Sequence, residues 1–280
     1  EEAGGVLMYG IPEYRLPKAV VRKEIEKIEA LGVSFELNCM VGKDITVDEM
    51  FAKGFDAIFI GTGTALPKSL DIPGAKLRGV VQSSYLLHMV SIYNQNTISR
   101  DRVPLIAGEH VGVIGCGNVA MDAARTAVRM GAASVSVIYH RTEADMPAIQ
   151  SEYQEAVKEG VKFLWETSTQ EFIGDEEGHV KAIRATTPQG EQIIPFDRIY
   201  LAIGSRPANR IVSTTTGIDV DEAGYIIVKD RPFGMTTRKG VFAGGDVVHH
   251  PQTVVLAMKA AKQVAAGIEQ YVDAIKLLES

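Results

Sequence analysis

The chain has 280 residues, 46% of them hydrophobic, with 29 basic side chains against 35 acidic ones and a net charge of −6. That length holds one large or two medium domains; the acidic balance without a basic stripe argues against nucleic acid, and no apolar run approaches the ~18 residues of a membrane span. The two cysteines, Cys39 and Cys116, stand far apart. They fit a reducing, cytoplasmic setting, exclude a disulfide framework and are too few for an iron–sulfur cluster, which takes about four thiolates.

In chain order, two glycines at Gly4 and Gly5 run into an apolar stretch and a Pro-punctuated loop. Residues 18–31 then place Val21, Ile25, Ile28 and Leu31 on one helical face, with Gly32 as the stop. Residues 33–41 alternate, with Val33, Phe35, Leu37, Cys39 and Val41 on one side of an expected strand. "DAIFIGTG" (56–63) reads as an apolar strand buried on both faces and ending in glycines. A helix is expected over 83–93, and the polar, irregular stretch 94–110 reads as a domain crossing.

From Val111 the order is strand, helix, strand: "VGVIG", "NVAMDAARTAVRMG", "SVSVIYH". This is a βαβ unit and implies a parallel sheet. "VKFLWETSTQEFIG", "HVKAIRATT" and "EQIIPF", separated by "DEEG" and "PQG", read as an antiparallel meander attached to that sheet. The chain closes with the strand "GVFAG" and a helix over about 252–272.

Two segments match: "FDAIFIGTGTALP" (55–67) and "FDRIYLAIGSRP" (196–207) share Phe-Asp-x-Ile, an aromatic, an aliphatic and a glycine at equal spacing. Either many buried strands end this way, or the chain holds two similar nucleotide-binding modules. In the second case the glycine turn at Gly115 has its counterpart upstream of Glu1, and the first module is expected to lack its opening βαβ.

"GCGNVA" (115–120) follows a strand and opens a helix, matching G-x-G-x-x-G/A. Gly115 permits the tight turn, Gly117 lets a pyrophosphate reach the backbone, and Ala120 lets helix and strand pack closely at the N–H-rich helix start. Where an acidic residue usually binds the ribose 2′-OH, this chain carries His140 and Arg141, which favours NADP(H) because a guanidinium suits a 2′-phosphate. The alternative leaves Arg141 solvated and gives the ribose to Glu143. "GVFAGGDVV" (240–248) offers Gly244, Gly245 and Asp246 either as an approach for a ligand with sugar-type hydroxyls or as a plain turn. The helix start near Thr253 points at the same region. His249 and His250 lack a Cys/His/Asp cluster, so no metal site is assigned. The Cys116 thiol, at a helix N-terminus, is expected to be lowered in pKa yet to serve as a small filler.

Over essentially the whole chain, "GGVLMYGIPEYRLPK", "GCGNVAMDAARTAVRMGA", "AIGSRP" and "GVFAGGDV…TVVLAMKAAKQVAAGIEQYV" resemble the small (beta) subunit family of NADPH-dependent glutamate synthase. Relatives of that family include the flavin region of dihydropyrimidine dehydrogenase and the large subunit of ferredoxin–NADP transhydrogenase. The resemblance implies an α/β fold with two Rossmann-like dinucleotide-binding domains. An NADPH domain (103–231) is inserted in an incomplete FAD domain (1–102 and 232–280), with an antiparallel meander. It implies NADPH at Gly115, Gly117, Asn118, Val119 and Ala120, the 2′-phosphate at His140 and Arg141, and Gly204 on the nicotinamide side. Gly245, Asp246 and Thr253 would contact FAD, with Gly5 and Val6 near the flavin. Iron–sulfur clusters would belong to another segment or a partner. The implied partner is a large subunit or electron-acceptor protein, with a homodimer as a further assembly. The family's FAD fingerprint and Cys-rich region are not in this sequence, and "HR" stands where the family often has two basic residues.

Overall fold

A computed structural model describes residues 2–208, 210–250 and 253–279. The chain divides into two compact units, Glu1–Leu37 with Ser69–Ile203, and Asn38–Lys68 with Gly204–Ser280. These boundaries differ from those expected. Residues 69–102 pack with the βαβ segment, and 94–110 runs within that unit as a packed connection. It contains a 3₁₀ turn at Arg100–Arg102, and Val103 and Leu105 are buried in the core. Arg100 ties this segment down by donating to the carbonyls of Leu105 and Met130.

The first unit holds helices α1 (Val6–Tyr9), α2 (Lys18–Ala30), α4 (Ser83–Asn94), α5 (Asn118–Arg129) and α6 (Gln150–Lys158). Its strands are β3 (Val80–Gln82), β4 (His110–Ile114), β5 (Ser134–Ile138), β6 (Lys162–Leu164), β7 (Ser168–Gly174), β8 (Val180–Thr187), β9 (Gly190–Pro195) and β10 (Arg198–Leu201). The order β3-β10-β4-β5-β6 makes a parallel sheet, as the βαβ pattern predicts.

Alternation along the strands assigns the two faces of that sheet. Val111, Val113, Val135, Val137 and Tyr200 join one core cluster with Ala120, Met121, Ala123, Ala124 and Ala127 of α5. The small side chains recur at helical spacing and bring α5 close to the sheet. Ile114, Ile138, Ile199 and Leu201 turn the other way, into a second cluster with Phe172, Val180, Ile183 and Ala185 of the meander. Gly112 sits on this second face because a Cβ there would stand 2.7 Å from Ile199 Cδ1.

The meander forms as β7-β8-β9, antiparallel throughout. The expected single run 161–174 is two strands in two sheets, broken by a turn at Trp165 and Glu166, where Glu166 takes φ 51°. The expected strand over 33–41 does not form, although Val41 makes an isolated bridge to Ile45. Val33, Phe35, Leu37 and Met40 are exposed, and among the described residues no strand lies alongside to complete a ladder. Helix α2 is present, but only Val21 of its stripe is buried; Ile28 and Leu31 are exposed.

The second unit contains α3 (Val47–Ala52), β1 (Ile58–Ile60), β2 (Leu66–Pro67), β11 (Ser205–Arg206), α7 (Arg210–Ser213), β12 (Val241–Ala243), α8 (Asp246–His249) and α9 (Val254–Glu279). Thr46 and Glu49 start α3 with a reciprocal capping box, Thr46 N–H donating to Glu49 Oε2 at 2.8 Å and Glu49 N–H to Thr46 Oγ1 at 3.1 Å. β1 and β12 pair in parallel and bury Ile60, Val241 and Ala243 with Val47, Ile218, Ile226 and Val247. The strand at 56–63 is therefore covered on one face only: Ile60 is buried but Phe59 is 42% exposed. The closing helix α9 is longer than expected. Of its expected span, Gln252 lies outside the described residues, as does Glu1 at the chain start.

The two matched segments take matching conformations. β1 and β10 each lead to a left-handed glycine, Gly63 at φ 61° and Gly204 at φ 93°. The residues that follow pair antiparallel as β2 and β11, with Ser205 Oγ donating to Thr64 Oγ1 at 2.8 Å.

Candidate dinucleotide site

β4 ends at Ile114 and α5 begins at Asn118, so three residues turn the chain. Gly115 has φ 114°, and a Cβ there would lie 2.3 Å from the Ala202 carbonyl oxygen, so only glycine fits. Its N–H donates to Ile138 O at 3.0 Å, which sets the turn beside the end of β5. Gly117 is different: its φ of −87° suits any residue, and a Cβ would meet nothing within 4 Å. Space therefore stands open in front of the helix start, as a pyrophosphate needs. Ala120 is fully buried against the sheet, whereas Val119 is 48% exposed on the outer side of the first turn.

His140 and Arg141 follow β5 and are both exposed. Because β4 and β5 are parallel neighbours, with Ile114 opposite Ile138, this pair emerges at the same sheet end as the glycine turn. The loop that carries them is braced. Arg141 O accepts from Glu166 N–H at 2.9 Å, Thr142 and Asp145 form a capping box, and Tyr139 Oη donates to Asp145 O at 3.1 Å. Burial, with the Glu143 carboxylate as a lesser cause, raises the pKa of the Tyr153 hydroxyl. Asn118 Oδ1 accepts from Ile149 N–H at 2.9 Å, and Cys116 O accepts from Ala148 N–H at 3.2 Å.

The Cys116 thiol departs from expectation. Burial, aided by the nearby Glu143 charge, pushes it up to about 12, so the neutral thiol is a filler and not a nucleophile. Both cysteines are free, and among the described residues no group of three His, Cys, Asp or Glu side chains could hold a metal. His250 instead packs its ring on Tyr225, centroids 4.0 Å apart.

The remaining expected site residues are distributed. In the first unit, Gly5 has φ 52° and precedes α1, and Val6 is 65% exposed. In the second, Gly245 has φ 76° and precedes α8, whose first residue is Asp246. Thr253 stands before α9 and accepts from Leu256 N–H at both its carbonyl and its hydroxyl oxygen. A short helix, α8, thus lies between the Gly244–Gly245 pair and the start of α9. Gly204 lies beside Lys68, whose N–H donates to its carbonyl at 2.9 Å.

One cluster escapes the sequence reading. Arg15 Nη1 donates to both Asp122 carboxylate oxygens, at 2.8 and 2.9 Å, and Arg15 Nε lies 3.3 Å from Glu152. Arg125 binds Glu152 and Glu159, Arg129 binds Glu159, and both guanidinium groups lie over the Tyr14 ring. Burial pushes Asp122 up to about 6, against the pull of Arg15, and burial also pushes Tyr14 up to about 12. Lys18 is lowered by burial, and its Nζ donates to Leu7 O and Ile11 O. The available signal was a charged residue on the otherwise alanine-rich face of α5, in "MDAARTAVR".

The family model described as pyridine nucleotide-disulphide oxidoreductase matches residues 18–261. The chain belongs to that family. Among curated proteins it is 34% identical to a glutamate synthase [NADPH] small chain of Halomonas elongata, over 97% of this chain and 61% of that one. It is 35% identical to the NADP(+)-dependent formate dehydrogenase subunit beta of Moorella thermoacetica, over 96% of this chain and 39% of that one. The Escherichia coli glutamate synthase [NADPH] small chain is 30% identical, over 97% and 62%. The chain thus spans less than two thirds of the length of these relatives. Among solved structures, Mycobacterium tuberculosis FprA in complex with NADPH matches with a TM-score of 0.74 at 15% identity, covering 98% of this chain and 76% of that one. Thioredoxin reductase of T. acidophilum matches with a TM-score of 0.61 at 23% identity, covering 78% and 66%. These two likenesses concern the fold. Among the described residues no helix is long and apolar enough to cross a membrane.

Proposed function

We propose that this chain is the NADPH- and FAD-binding body of a flavoprotein oxidoreductase that passes electrons to a partner; its relatives' names supply NADPH and a small chain of a larger enzyme. The observation that carries this reading is the glycine turn. Gly115 is forced by backbone proximity, and Gly117 leaves open space at the start of the 12-residue helix α5. When bound, NADPH and FAD would supply hydride transfer from nicotinamide to flavin.

The residues of the chain bind and orient. Gly115, Gly117, Asn118, Val119 and Ala120 would form the pyrophosphate cradle, and His140 with Arg141 would meet the 2′-phosphate. Gly204 would close the nicotinamide side. Gly5, Val6, Gly245, Asp246 and Thr253 would serve FAD. In domain terms, 103–231 would bind NADPH, and 1–102 with 232–280 would bind FAD. Protein side chains supply alignment and exclusion of water while the cofactors carry the electrons. Two distant cysteines hold no cluster, so iron–sulfur carriers would sit in other segments or in a large subunit, in a cytoplasmic assembly.

A second reading is favoured by the exposed strip Val33, Phe35, Leu37 and Met40 and by the one-sided cover of β1. On that reading the chain binds NADP(H) but holds FAD too weakly to turn over. The purified chain is mixed with FAD, and NADPH oxidation is followed with an artificial one-electron acceptor. Stoichiometric flavin and sustained turnover support the first reading. NADPH binding without flavin uptake supports the second, and no NADPH binding sinks both.

A further inference from the structure

The loop bearing His140 and Arg141 is joined to the glycine turn by two hydrogen bonds. One runs between backbones, Ala148 N–H to Cys116 O at 3.2 Å. The other uses a side chain: Ile149 N–H donates to Asn118 Oδ1 at 2.9 Å, across 31 positions of sequence. Asn118 is the first residue of α5, so its own backbone belongs to the expected pyrophosphate cradle. The far end of the loop is fixed at Ala148, which is buried, and its near end by Glu166 and Thr167, which donate to Arg141 O and Tyr139 O. His140 and Arg141 themselves are exposed, and their positions depend on this frame.

We propose that Asn118 is a positioning residue for cofactor selectivity. Its side-chain oxygen latches the 140–149 loop to the glycine turn, so that the groups facing a 2′-phosphate are held at a fixed distance from those facing the pyrophosphate. This rests on the NADPH reading above. The discrimination between phosphorylated and unphosphorylated ribose then depends on Asn118 although it does not touch that ribose. Losing one such hydrogen bond corresponds to about a fivefold change in equilibrium.

The test measures dissociation constants for adenosine 5′-diphosphate and for its 2′-phosphorylated form, neither of which needs flavin or turnover. The selectivity ratio is compared in wild type, Asn118→Ala, Asn118→Asp, Arg141→Ala and the Asn118→Ala/Arg141→Ala double variant. Asn118→Ala is expected to lower the ratio about fivefold and to speed hydrogen exchange at the Ile149 amide. Asn118→Asp keeps the acceptor, so it should weaken both ligands while holding the wild-type ratio. In the Arg141→Ala background, Asn118→Ala should change the ratio less than it does alone, because of the two groups it positions only His140 remains. An Asn118→Ala variant that weakens both ligands equally overturns the latch and leaves the NADPH reading standing. A wild-type ratio near one overturns the NADPH reading itself, and the latch role with it.

Discussion

Gly115 couples strand, turn and helix through a single missing Cβ. Gly115→Ala would place a methyl carbon 2.3 Å from the Ala202 carbonyl oxygen at φ 114°. The backbone must shift at the cradle, and we expect a loss of about 1–3 kcal/mol in stability and at least about a tenfold loss in NADPH affinity. Denaturant unfolding and calorimetry check the two separately; unchanged affinity would mean that the turn does not face the ligand. Asp122 gives a pH signature. Its folded pKa of about 6 exceeds the unfolded value near 3.9, so the folded state keeps a proton that the unfolded state has released. Its contribution to stability should therefore be highest below about pH 4, fall as pH rises towards about 6, and stay constant above that. Wild type and Asp122→Asn are compared by urea unfolding across that window, and a pH-independent difference would show that Arg15 cancels the effect of burial. The two cases also show what sequence reading can reach. Gly115 was legible because a glycine spacing states a backbone demand locally. Arg15 and Asp122 were not, because the partners lie 107 positions apart and nothing local links them.

Elements fared according to whether their partners are near in sequence. The βαβ segment and the meander are built from neighbours, and their periodicity carried through to β4, α5, β5 and β7 to β9. The strand expected over 33–41 shows the converse, since alternation supplies a face but not a neighbouring strand. The run 161–174 hid a change of sheet because Trp165, Glu166 and Thr167 are not turn-type residues, yet Glu166 adopts φ 51°. In the meander, Ile183 is fully buried at the centre of the second core cluster. Ile183→Ala should cost about 2–5 kcal/mol in chemical denaturation, and a cost below about 1 kcal/mol would mean that this sheet packs loosely on the parallel one. The start of β10 is held by a charge pair: Arg198 Nε and Nη2 each lie 2.6 Å from a Glu109 carboxylate oxygen, with both side chains nearly buried. Glu109→Gln strands that guanidinium and should destabilise by about 3–5 kcal/mol, whereas a neutral outcome would mean that water reaches Arg198.

At the scale of the molecule, two compact units share a chain that crosses between them at residues 37–38, 68–69 and 203–204. Both matched segments run through a left-handed glycine into residues that pair as β2 and β11. The unit boundaries were less legible, because residues 69–102 carry few motifs and are recruited by packing onto the parallel sheet. The family match and the glycine turn converge on a pyridine nucleotide, and the proposed preference for NADPH would rest on His140 and Arg141. The most direct test is a calorimetric titration of wild type and Arg141→Asp with NADPH and with NADH. The account predicts that wild type prefers NADPH and that Arg141→Asp loses NADPH affinity far more than NADH affinity, since a phosphate partner becomes a ribose-type acceptor. Equal losses for both nucleotides would contradict it.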